Sequence, residues 1–107
     1  MSLKQQKLEE LIRNLSAQFI QIESSGVSLI TITRCIVSED LKHALILVTV
    51  LPDKEEDEAL EFLKRKRSEL RTYLTKHSRT RVIPVVDFAL DIGEKTRQKI
   101  DELGITQ

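Results

Sequence analysis

VSLITITRCIVSEDLKHALILVTVL, residues 27 to 51, is where the sequence changes its period. Residues 27 to 38 are rich in β-branched side chains and alternate, with Ile30, Ile32 and Ile36 on one side and Thr31, Thr33 and Cys35 on the other. EDLK, residues 39 to 42, is a short polar turn, and HALILVTVL, residues 43 to 51, is a second strand. Two such runs joined so tightly predict an antiparallel hairpin. The second strand is apolar on both faces, Ala44, Ile46, Val48 and Val50 on one and Leu45, Leu47 and Leu51 on the other. One face suits packing helices. The other either lies under a C-terminal segment or forms a contact surface, and intramolecular cover is the favoured reading.

Upstream of the hairpin, Leu8, Leu11, Ile12, Leu15, Phe19 and Ile22 recur at helical spacing and predict an amphipathic helix over about residues 4 to 23. Downstream, Pro52 and Asp53 stop the strand, and Ala59, Leu63, Leu70 and Leu74 mark a second apolar stripe with Phe62 and Tyr73 beside it. The stripe lapses at KRKR, so an interruption between Lys64 and Ser68 is expected, with Ser68 as N-cap of the second piece. RVIPVVDFALD, residues 81 to 91, is a third strand in which Val82, Val86, Phe88 and Leu90 share a face. Pro84 has no amide hydrogen to give to a ladder, which places it on an edge or at a strand start. Asp91 with Glu94 resembles a capping box for a short last helix carrying Ile92, Ile100 and Leu103 and ending at Gly104. The expected order is α-β-β-α-α-β with a short C-terminal helix. This is an α+β fold whose three-stranded sheet has its helices on one face.

The chain has 107 residues, one cysteine and zero formal net charge, which fits a single domain over residues 1 to 107 in a reducing, cytoplasmic setting. The start MSLKQQKLEE is too polar for a signal peptide, and the longest apolar run, Ala44 to Leu51, is too short to span a bilayer. His43 and His77 lack metal-ligand spacing, Cys35 fits a small apolar strand residue, and three glycines leave no phosphate-cradling loop. No enzyme, metal or cofactor is expected. The aromatics Phe19, Phe62, Tyr73 and Phe88 fall mostly on or beside apolar stripes, so base stacking on an exposed sheet is not expected either.

Charge is unevenly spread. Residues 63 to 81 hold eight of the seventeen Lys and Arg residues: Lys64, Arg65, Lys66, Arg67, Arg71, Lys76, Arg79 and Arg81. Directly before them stand Asp53, Glu55, Glu56, Asp57, Glu58 and Glu61. Acid near a helix start and base near its end complement the helix dipole, which explains the order of the blocks but not the density of cations.

Three segments resemble the ribosome-binding factor A family of type II KH-like domains. TITRCIVSEDLKHALILVTVL (31 to 51) resembles its hairpin, and EALEFLKRKRSELRTYL (58 to 74) its paired helices. RVIPVVDFALD resembles its third strand at Arg81, Pro84, Phe88 and Asp91. The chain departs from the family at Lys66, Arg67 and Ser68, where members carry a small-x-Gly kink. The resemblance implies a ribosome biogenesis factor that binds the immature small ribosomal subunit and its rRNA and promotes rRNA processing and maturation. It implies a monomer with no membrane or small-molecule substrate. The eight cations are the candidate rRNA-binding residues, with Arg81 alternatively fixing the strand start through a carboxylate and Asp91 better placed as a helix cap. The alternative is a protein-interaction module that docks an acidic partner through its basic helix.

Overall fold

The computed structural model describes residues 2–23 and 28–92. Helix α1 spans Leu3–Glu23, strands β1 and β2 span Leu29–Val37 and His43–Leu51, helices α2 and α3 span Glu56–Arg65 and Arg67–His77, and strand β3 spans Val85–Leu90. The expected α-β-β-α-α-β order is present; the anticipated last helix lies outside the described residues. A capping box absent from the sequence-based expectation opens α1. The Gln5 amide donates to the Ser2 hydroxyl at 3.1 Å, and the Ser2 amide to Gln5 Oε1 at 2.9 Å.

The sheet order is β1-β2-β3, with β1 antiparallel and β3 parallel to β2. A parallel neighbour needs a long crossover, which α2 and α3 supply. The central position of β2 explains its two apolar faces. Leu8, Ile12, Phe19, Ala59, Leu63, Leu70 and Leu74 from the helices pack with Ala44, Ile46, Val48, Val86 and Phe88 from the sheet. All three helices therefore lie against one face. Behind it, Ile36, Leu45, Leu47 and Ala89 are also buried, so the second face is shielded, as the sequence favoured. Leu51, assigned to that face, is exposed at the strand end.

Strand β1 departs from the expected alternation. Ile32 pairs with Val48 but Arg34 with Leu47, so Thr33 is an extra residue in the ladder. A one-residue bulge reverses the facing of everything beyond it. Cys35 and Val37 accordingly join the helix-side core with Ile30 and Ile32, while Ile36 turns to the opposite cluster. The Thr33 hydroxyl donates to Asp91 Oδ2 at 2.7 Å and lies 3.2 Å from the Leu47 carbonyl oxygen. Asp91 thus ties the end of β3 to the bulge. Its anticipated capping of a following helix involves residues outside those described.

Two further expectations are corrected. Ser68 is not the N-cap of α3: Lys66 holds that position at φ −90°, ψ 2°, with no side-chain cap bond. The Lys66 amide reaches the carbonyls of Phe62 and Leu63, while its own carbonyl accepts from Leu70. A single residue therefore makes the break, at the site where the apolar stripe lapses, and Ser68 already lies within the helix. Strand β3 begins at Val85 rather than at Arg81, because the first ladder donor is the Val85 amide, bonded to the Lys42 carbonyl at 2.9 Å. Pro84 immediately precedes it and Val82 is exposed. Among the described residues, no helix is long and apolar enough to cross a membrane.

Candidate nucleic-acid interface

The eight cations of residues 63 to 81 divide by what they touch. Lys66 Nζ stands 3.2 Å from Glu69 Oε2 and 3.7 Å from Glu23 Oε2, and 5.9 Å from the centre of the Phe62 ring. It links the α2–α3 junction to the end of α1. Arg67 reaches the other way, with Nη1 3.3 Å from Asp87 Oδ1 and Nε donating to the Lys64 carbonyl at 3.1 Å. Arg71 donates from Nη2 to the Ile83 carbonyl at 3.3 Å, holding down the segment before β3. These three are occupied within the fold. Among the described residues, Arg81 does not form the carboxylate pair considered for it; Arg67 forms one instead.

Lys64, Arg65, Lys76, Arg79 and Arg81 have no ion-pair partner among the described residues. Lys64 is half-buried and the other four are exposed. The faces follow from helical geometry. Leu70 and Leu74 point into the core, which sends Tyr73 and His77 toward α1, Arg67 and Arg71 toward β3, and Thr72 and Lys76 outward. Tyr73 packs 5.6 Å from Phe19, stacks 4.1 Å from His77 and donates to Gln18 Oε1 at 3.2 Å. Its ring is committed to packing between the helices. What this arrangement offers chemically is unpaired positive charge suited to phosphate, without a stacking platform.

Comparison with known proteins follows the same line. The family model described as "Ribosome-binding factor A" matches residues 4–104. The chain belongs to the ribosome-binding factor A family. Ribosome-binding factor A of Thermomicrobium roseum is 36% identical over 105 residues, covering 95% of this chain and 81% of that protein. The Alkalilimnicola ehrlichii protein of the same name is 34% identical over 104 residues, covering 92% and 75%. Among solved structures, the crystal structure of ribosome-binding factor A from Thermus thermophilus superposes with a TM-score of 0.72 at 24% identity, covering 80% of this chain and 94% of that one. A Thermus thermophilus ribosome binding factor A homology model, fitted into a cryo-EM map of a 30S complex, gives 0.69 at 25% identity, covering 78% and 90%.

For a ribosome-binding factor, the linear basic stretch leaves out cations brought in from elsewhere. Lys4 and Lys7 of α1 line a groove with Leu8, Leu11, Leu41 and Thr80, enclosing about 260 Å³. Both lysines are exposed and without an ion-pair partner among the described residues. Thr80 lies between Arg79 and Arg81, so two remote parts of the sequence meet here. Lys4 and Lys7 could have been noticed as an i, i+3 pair on one helix flank. Their proximity to Thr80 is a product of the tertiary fold alone.

Leu41 shapes the groove from the hairpin turn, where its φ is +62°. A bulky residue is uncommon in that left-handed region, and the surroundings must hold it there. The Leu41 amide donates to the Ser38 carbonyl at 2.9 Å. The Ser38 hydroxyl donates to Asp40 Oδ1 at 2.5 Å and accepts from the His43 amide at 3.1 Å. Asp40 Oδ1 also accepts from the Lys42 amide at 3.0 Å. Stabilised first by the Ser38 bond and then by the Lys42 amide, the exposed Asp40 carboxylate titrates below its ordinary value of 3.8.

Proposed function

We propose that this chain binds the immature small ribosomal subunit, contacts its rRNA through Lys64, Arg65, Lys76, Arg79 and Arg81, and promotes rRNA processing and late maturation. The carrying observation is the cluster of cations with no intramolecular ion-pair partner among the described residues, on a chain of the ribosome-binding factor A family. The 30S complex described for the Thermus thermophilus relative supports the choice of subunit. Lys66, Arg67 and Arg71 serve mainly to position that surface, although each guanidinium retains donors for a phosphate. The factor acts as a monomeric, single KH-like domain in the cytoplasm, binding without catalysis or a cofactor.

Sedimentation of a lysate in which small-subunit maturation is slowed tests this. The protein is expected to travel with free small subunits rather than full ribosomes, and to leave them steeply as salt rises. Co-migration with neither, or binding insensitive to salt, would favour an acidic protein partner over rRNA.

A further inference from the structure

A groove lies between the start of α1, the hairpin turn and Thr80, lined in part by lysines that have no ion-pair partner among the described residues. Its composition is specific. Lys4 and Lys7 line it, while Leu8, Leu11 and Leu41 supply apolar surface. Leu8 is buried and Leu11 and Leu41 are half-buried against the core, so this surface is held in place by packing. The exposed Arg79 and Arg81 flank Thr80 along the chain.

We propose that this groove is a second RNA contact, in which Lys4 and Lys7, with Arg79 and Arg81 beside them, hold the backbone phosphates of a single strand while one unpaired base rests on Leu8, Leu11 and Leu41. The inference rests on the rRNA reading above and deepens it. Its chemistry matches the two halves of a nucleotide. A base presents an apolar face that gains from leaving water, and the adjoining phosphates need cations rather than directional acceptors. A duplex buries its base faces in the stack and would meet the leucines only with charged backbone. A single strand satisfies both parts. The site also joins α1 to the segment before β3, extending the surface from the basic helix to the far end of the hairpin.

Binding of a labelled oligouridylate and of purified immature small subunits, each titrated with salt, tests the site in the full chain. Lys4→Gln with Lys7→Gln is expected to weaken oligouridylate binding by about fivefold per lysine at low salt. The same variant should lower the salt slope by about 0.7 for each phosphate it no longer neutralises on a single strand. Its melting temperature should be unchanged, because both side chains are exposed. Lys54→Gln, which removes one cation beside the acidic block, should leave both binding curves in place. Equal weakening by Lys54→Gln would show that only net charge matters and overturn the site. A folded Lys4/Lys7 variant with wild-type affinity and slope on both probes would also overturn it, while leaving the proposed function standing. A base-free ribose-phosphate polymer that binds as tightly as oligouridylate would remove the base from the leucines. Failure of the wild-type protein to bind immature subunits would sink the proposed function and this inference with it.

Discussion

Phe88 is the largest fully buried side chain of the core, 1% exposed, and reaches it from a strand only six residues long. Its backbone is held as well, the amide donating to Asp87 Oδ1 at 2.8 Å. Phe88→Ala should cost about 3–5 kcal/mol, since the packed helices above it cannot collapse fully into the space left behind. A loss of that size is a large part of the stability of a domain of this length. The check is a denaturant midpoint at neutral pH, and an unchanged midpoint would mean that the core tolerates the void. Cys35 follows the same logic by a different route. It is buried, and desolvation, aided by the nearby Glu9 carboxylate, pushes its thiol up to about 12, so it behaves as a small apolar residue.

At the scale of elements, the free edge of β1 is closed at one point by α1. The Val37 amide donates to Glu9 Oε2 at 2.8 Å, and Gln5 Nε2 donates to the Val37 carbonyl at 3.1 Å. Gln5 and Glu9 are one helical turn apart, so a single face of α1 satisfies both backbone groups of a buried edge residue. Glu9→Ala leaves the Val37 amide without its acceptor and should cost about 1–3 kcal/mol, read as a shift in the denaturant midpoint. No shift would indicate that water replaces the carboxylate. The helix itself was legible in its apolar spacing, whereas the capping box of Ser2 and Gln5 emerges only from the structure. The bulge was not legible. Thr33 suits either a regular or a bulged strand, and what fixes the extra residue is the hydroxyl's bond to Asp91, far away in sequence. The break at Lys66 was legible because a cation stands where the apolar stripe needed a hydrophobe. Ser68 has the propensity of a cap, but the Lys66 carbonyl already accepts the Leu70 amide, so the second helix starts before Ser68 is reached.

At the scale of the whole molecule, the basic stretch has two duties that the sequence could not separate. Charge density shows in a linear chain, but pairing with Glu23 and Asp87 depends on α1 and β3 arriving from either side of the α2–α3 junction. Lys66 and Arg67 therefore hold three parts of the fold together, and their neutralisation should be felt in stability. Lys66→Gln with Arg67→Gln removes partly exposed ion pairs typically contributing about 0.2–1 kcal/mol each. For a domain of this size the melting temperature should fall on the order of 2–8 °C. The difference from wild type should shrink near 1 M salt, where the screening length is only about 3 Å. Lys64→Gln, Arg65→Gln and Lys76→Gln together should do the reverse. The melting temperature should hold within a degree or two, because these cations have no ion-pair partner among the described residues. The slope of log affinity against log salt for immature small subunits should drop by roughly two to three, at about 0.9 per neutralised phosphate on a duplex and somewhat less on single strands. Thermal melts and salt titrations of both variants separate the two duties. If the first variant flattened the slope and kept its melting temperature, the cations at the junction would be the RNA contacts, and their carboxylate partners would be competitors that phosphate displaces on binding.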